Sequence, residues 1–179
     1  MRDHVLDEWA RAERYIRAAA ALLAADENSD GPGVQTSTSD DGLWRTDVAP
    51  YWKEMAAKRV KDVLGVLERS LVSRSTPAPK QFRQHLMDLY AMRNLLAHNE
   101  SRPIYMDLDS GVRVLRALQY GKATYVTITN DQMVDVSTRG AAMSDWLAGV
   151  LPEVDRIGVE LHEDEVARLI AELPEYFLE

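Results

Sequence analysis

The residues best suited to chemistry lie in one stretch, Tyr90-Ala91-Met92-Arg93-Asn94-Leu95-Leu96-Ala97-His98-Asn99-Glu100. On a helix with Phe82 as zero, Phe82, Leu86, Leu89 and Leu96 fall within about 40° of one line. Arg93 lands at about 20°, in the middle of that apolar stripe. A guanidinium there is costly unless it pairs with a carboxylate or points into a polar pocket. Asn94 and His98, four residues apart, share a neighbouring face with Met87 and Ala91 beside them. A polar pair bordered by apolar residues suits contact with another helix or another subunit. A purely structural arrangement satisfies the same pattern. Arg93 would then be tied to Glu54, Asp62 or Glu68, and His98 would sit at a helix end, where its cationic form complements the dipole.

Other chemistries are excluded by what is missing. The 179 residues contain no cysteine, which removes disulfides, thiolate metal sites and cysteine nucleophiles. No Gly-rich phosphate loop, nucleophile elbow or dinucleotide fingerprint occurs. Of the four histidines, His162 opens a His-Glu-Asp-Glu run, but Val166 stands where a zinc-binding helix needs its second histidine. His4 and His162 read as surface residues. No cofactor and no metal site is expected.

Composition is that of an ordinary globular protein, 46% apolar and 28% charged, with net charge −8. The charge is uneven. Residues 1–79 carry −2, residues 80–122 carry +3, and residues 123–179 carry −9. An acidic chain repels nucleic acid at long range, so any such role needs a local basic exception, and the motif lies in the positive segment. The longest apolar run, Ala18 to Ala25, is too short to span a membrane. Asp3, Asp7, Glu8 and Glu13 precede it, unlike a secretion signal. The expected location is cytoplasmic.

The elements that must position Arg93 and His98 follow from periodicity. Val5, Trp9, Ala12, Ile16, Ala19 and Leu23 predict a first helix from about Asp3 to Ala25. Asp26 to Gly42 is expected to be a long mobile loop. Trp52, Ala56, Val60, Val63, Leu67 and Leu71 predict one helix from Val48 to Ser73, with Pro50 in its first turn. Arg74 to Pro79 is a break, and the motif helix starts at Lys80, with Pro103 closing its exit loop. A fourth helix is expected over Asp107–Tyr120, from Leu108, Val112, Leu115 and Leu118. Val126, Ile128, Val134 and Val136 then suggest a short hairpin near residues 124–138, turning at Asn130-Asp131-Gln132. Met143, Trp146, Leu147, Val150, Val154 and Ile157 predict a helix split or kinked at Pro152. A last helix from Glu163 to Leu173 would bury Val166, Leu169, Ile170 and Leu173. The expected fold is mainly α, an antiparallel helical bundle with one β-hairpin, in a single domain of residues 1–179.

Arg93-Asn94-Leu95-Leu96-Ala97-His98 resembles the Arg–x4–6–His signature of the HEPN superfamily, the higher eukaryotes and prokaryotes nucleotide-binding domains. The setting is similar too: a polar residue directly after the arginine, a histidine near the end of a long helix, and a long helix before it. The resemblance covers about residues 48–120, leaving the hairpin and acidic helices of 121–179 outside the shared core. It implies a helical bundle that forms a homodimer, bringing two motifs to one cleft. It further implies a metal-independent endoribonuclease leaving a cyclic phosphate, in a toxin–antitoxin or phage-defence setting. By that resemblance His98 is the acid–base group, Arg93 holds the scissile phosphate or stabilises its developing charge, and Asn94 orients the histidine or the phosphate. Lys80, Arg83, Arg102, Arg113 and Arg116 would line an RNA track. Expected partners are RNA, a second copy and an antitoxin or defence protein, with no membrane. The alternatives are a non-catalytic helical adaptor, in which Arg93 and His98 serve structure or dimerisation, and a nucleotide-binding module using Tyr90, Tyr105 or Tyr120 for stacking.

Overall fold

A computed structural model of the protein describes residues 1–28, 43–97, 104–106, 113–118 and 125–171. These residues form six helices and one three-stranded sheet: α1 (Arg2–Glu27), α2 (Leu43–Ala57), α3 (Val60–Ser73), α4 (Phe82–Ala97), β1 (Ile104–Met106), β2 (Arg113–Leu118), β3 (Tyr125–Thr129), α5 (Asn130–Val150) and α6 (Val154–Ala171). The fold is mainly helical, as the periodicity predicts. Packing groups the chain into two compact units. One contains Met1–Glu13 and Pro79–Trp146; the other contains Arg14–Ala78 and Leu147–Glu179.

In the first unit, α4 and α5 run antiparallel. Phe82 meets Trp146 edge-on at 5.5 Å between ring centroids, while Arg139 reaches Asp88 at 3.4 Å, so numbers rise on one helix as they fall on the other. The α5 face toward the core is Met133, Ser137, Gly140 and Ser144, a line with three small residues. That line lets α4 approach closely: a Cβ added at Gly140 would lie 2.5 Å from Leu89 Cδ2. The first half of α1 adds Val5, Trp9 and Ala12 to this core, and Arg11 pairs with Asp145. The antiparallel sheet has order β1-β2-β3, and β2 packs against α4.

The second unit is built on the rest of α1. Residues 18–23 of that helix are all buried, the mark of an element surrounded on every side. Tyr15 donates to Asp155 at 2.5 Å, and Ala18 lies 3.6 Å from where Gly158 would carry a Cβ. Arg74 pairs with Asp26, tying the end of α3 to the end of α1.

Four expectations need correction. The single helix over 48–73 is two helices, interrupted at Arg59, whose backbone is extended (φ −66°, ψ 143°). Continued as one helix, the buried Val48, Trp52 and Met55 would face about 100° away from Val63, Leu67 and Leu71. The break realigns the two stripes, and Pro50 lies inside α2 rather than in a first turn. Arg17 Nη1 donates to the carbonyls of Met55 and Lys58 at the break, the first of which also accepts from Lys58 N–H at 3.3 Å.

Of the expected helix over 107–120 the described residues are 113–118, and these form the strand β2 instead. Its backbone pairs on both sides, with Leu115 opposite Ile104 on β1 and Ile128 on β3. An apolar run this short fits either period, and pairing to distant segments decides between them.

The expected hairpin over 124–138 has only its first strand. Val126 and Ile128 lie on β3, but Asn130-Asp131-Gln132 opens α5 instead of turning to a second strand. The cause is a capping box. Gln132 N–H donates to Thr129 Oγ1 at 3.1 Å, and Thr129 N–H donates to Gln132 Oε1 at 2.9 Å. Val134, expected on a strand, is an exposed helical residue.

Finally, α6 starts at Val154 rather than Glu163, so the acidic run lies within a helix. Pro152 stands in the turn between α5 and α6, the split its chemistry predicts. Val166 falls about 120° from the buried Val154 and is exposed rather than packed. Leu173, Pro174 and most of the expected loop over 26–42 lie outside the described residues.

Candidate functional site

Helix α4 positions the motif. Its first turn is set by Pro79, whose carbonyl accepts from Phe82 N–H at 3.0 Å. Phe82, Leu86, Leu89 and Leu96 are each no more than 2% exposed, so the apolar stripe read from the sequence is the core-facing side. Arg93 shares that side and is half-buried. Its Nη1 donates to Asn94 Oδ1 at 3.0 Å. Among the described residues this is its sole recorded polar contact, and no carboxylate pairs with it. Glu54, offered by the structural arrangement as a partner, is instead paired with Lys58 at 2.5 Å.

A guanidinium carries five donors. One neutral amide oxygen leaves most of them unmet, and partial burial limits how well water can serve the rest. The site is therefore a half-sheltered cation presented beside an amide, an arrangement suited to an anion with several acceptor oxygens.

Tyr90 precedes Arg93 by one turn and Asn94 by four residues, so the three share one side of α4. Its ring lies 4.9 Å from that of Trp9, tilted 46°. Trp9 is 2% exposed, and its Nε1 donates to Glu13 Oε2 at 2.9 Å. Sequence periodicity assigns Trp9 to the α1 stripe and gives no sign of this partnership. The available signal is the spacing of Tyr90, Arg93 and Asn94, which any helical projection puts together.

The remaining expected site residues are dispersed. Lys80 and Arg83 are exposed near the start of α4, with Arg83 about 15 Å along the axis from Arg93. Arg113 and Arg116 are on β2, opposite Met106 and Thr127. His98 and Arg102 lie outside the described residues, as do Asn99 and Glu100. A second imidazole, His85, is half-buried on α4, and its Nδ1 has no hydrogen-bond partner. Nearby, Arg139 bridges Asp88 and Asp135, fixing α4 to α5. Among the described residues no three His, Asp or Glu side chains gather as metal ligands. Nor is any helix among them long and apolar enough to cross a membrane.

Comparison with known proteins supplies no relative. No family model, no curated protein and no solved structure matches the chain.

Proposed function

We propose that the protein is a metal-independent endoribonuclease of HEPN type, working as a homodimer. Its setting would be a toxin–antitoxin or phage-defence system. The observation that supports this reading most is Arg93. It occupies the buried side of α4 among apolar residues, yet its recorded partner among the described residues is a neutral amide. An arginine retained for packing alone would be expected to meet a carboxylate, because an unpaired charge at such a place costs stability. A phosphate supplies the missing acceptors.

In this reading RNA lies across the C-terminal part of α4, and the paired motifs of two protomers share one cleft. The ribose 2′-oxygen attacks phosphorus, and the bond to the 5′-oxygen breaks. A proton leaves the 2′-hydroxyl for an imidazole, and one is delivered to the departing 5′-oxygen, leaving a 2′,3′-cyclic phosphate. His98 is assigned the proton transfers, for which an ordinary histidine pKa near 6.5 is suited. Arg93 is assigned the charge that builds on the phosphate oxygens, and Asn94 holds Arg93 in place. Arg102, Arg113 and Arg116 are the proposed basic track, with Lys80 and Arg83 contacting RNA further along α4.

The chemistry is tested at the product ends. RNA cut in the presence of EDTA should carry 2′,3′-cyclic phosphate, and a single 2′-deoxy substitution at the scissile nucleotide should block the cut. Products with 3′-hydroxyl ends, or cutting that ignores the deoxy substitution, would exclude this mechanism. A folded protein that neither binds nor cuts RNA would favour the adaptor alternative.

A further inference from the structure

We propose that Tyr90 is a third substrate-contacting residue of this site, its phenolic hydroxyl donating to the same RNA phosphate that Arg93 holds. The inference rests on the ribonuclease reading and extends it to a residue outside the Arg–x4–His pattern. Three observations support it. Tyr90 and Arg93 are one turn apart on α4, about 4.5 Å along the axis and about 60° around it, so their side chains can converge on one phosphate. The Tyr90 ring packs against Trp9 at 4.9 Å between centroids, and Trp9 is itself buried and held through its indole N–H by Glu13. The phenolic hydroxyl, meanwhile, has no hydrogen-bond partner among the described residues and is not among their buried unpartnered polar atoms, so on a half-buried side chain it is the end left open to an approaching acceptor.

The packing also separates a hydroxyl role from a stacking role. Trp9 already meets the Tyr90 ring, which leaves the hydroxyl as the group on Tyr90 with hydrogen-bonding capacity to offer a ligand. A donor fixed by a buried tryptophan loses little freedom on binding, which favours its use in recognition. The arrangement is a chain of support in which Glu13 orients Trp9, Trp9 orients Tyr90, and Tyr90 joins Arg93 and Asn94.

The test uses the full chain and a fluorescent 2′-O-methyl oligoribonucleotide, which binds but cannot be cut. Affinity is read by anisotropy at one fixed salt concentration for the parent, Tyr90→Phe, Tyr90→Leu and Arg93→Met. Loss of a hydrogen bond to a charged acceptor should weaken binding by Tyr90→Phe roughly tenfold or more, while the ring and its contact with Trp9 remain. Tyr90→Leu should be no worse than Tyr90→Phe once both are shown to be folded. Parent-like binding by Tyr90→Phe alongside weak binding by Arg93→Met would overturn the Tyr90 proposal and leave the ribonuclease reading standing. Parent-like binding by Tyr90→Phe with loss only in Tyr90→Leu would mean that the ring, not the hydroxyl, meets RNA, and would also overturn it. If the parent shows no binding, or Arg93→Met binds as well as the parent, the ribonuclease reading falls and takes this one with it.

Discussion

Gly140→Ala should destabilise the protein although alanine is the better helix former. In an exposed helix the change gains about 1 kcal/mol. At Gly140 the new Cβ would lie 2.5 Å from Leu89 Cδ2 and 3.3 Å from Leu89 Cβ and Cγ. Carbon atoms settle at roughly 3.5–4.0 Å, so α4 and α5 must separate or Leu89 must leave its rotamer. Leu89 is 0% exposed, and protein interiors are packed closely enough that a buried leucine rarely finds a second rotamer without moving its neighbours. Overpacking of this kind costs about 1–3 kcal/mol, enough to cancel the propensity gain and leave a net loss of up to about 2 kcal/mol. For a chain this size each 1 kcal/mol lowers Tm by roughly 2–4 °C. Gly149→Ala is the matched control on the same helix, because nothing lies within 4 Å of its added Cβ. It should raise stability by about 0.5–1 kcal/mol. Thermal and urea melts followed by circular dichroism would measure both. In a Leu89→Ala background the penalty at Gly140 should disappear, giving a clear coupling in the double-mutant cycle. If Gly140→Ala is as stabilising as Gly149→Ala, the close approach of α4 and α5 is wrong.

Three further outcomes follow from local geometry. Thr129→Ala and Gln132→Ala should each cost about 1 kcal/mol, with the double variant losing less than the sum, because the two side chains serve one capping box. Ser75→Gly should stabilise by about 0.5–1 kcal/mol. Ser75 closes α3 at φ 58°, with its N–H on Val72 O and that of Thr76 on Leu71 O, a position where glycine removes Cβ strain. Arg17→Met should cost about 1–3 kcal/mol in urea melts, since the Lys58 carbonyl at the α2–α3 break loses its side-chain donor and the Met55 carbonyl is left with Lys58 N–H alone.

Local patterns in the sequence are legible wherever one helix face is buried over several turns. The α1 stripe and the α4 stripe both appear in the residues themselves, and so does the odd placement of Arg93 among leucines. Elements decided by other signals were harder to read. β2 is a strand because distant backbone pairs with both its edges, which no local period records. The α2–α3 break is visible only as a change in phase of the buried positions. The start of α5 was encoded locally, in Thr129-Asn130-Asp131-Gln132, but the alternating valines around it imitate a hairpin. At the candidate site, Arg93 and Asn94 could be placed from spacing, whereas the Trp9–Tyr90 contact joins two helices far apart in sequence and could not. A basic track gathered from Lys80, Arg83, Arg113 and Arg116 looks plausible in sequence, yet the fold divides those positions between the start of α4, about 15 Å along the axis from Arg93, and the strand β2.

The account stands or falls on whether Arg93 and His98 act on RNA. Purified parent protein should be incubated with mixed RNA in EDTA beside His98→Ala and Arg93→Met, with melts recorded for all three. The predicted result is cleavage by the parent, loss of at least a hundredfold in both variants, and a stability for Arg93→Met within about 1 kcal/mol of the parent or above it. Cleavage that survives His98→Ala, or an Arg93→Met protein that is strongly destabilised while still cutting RNA, would contradict it.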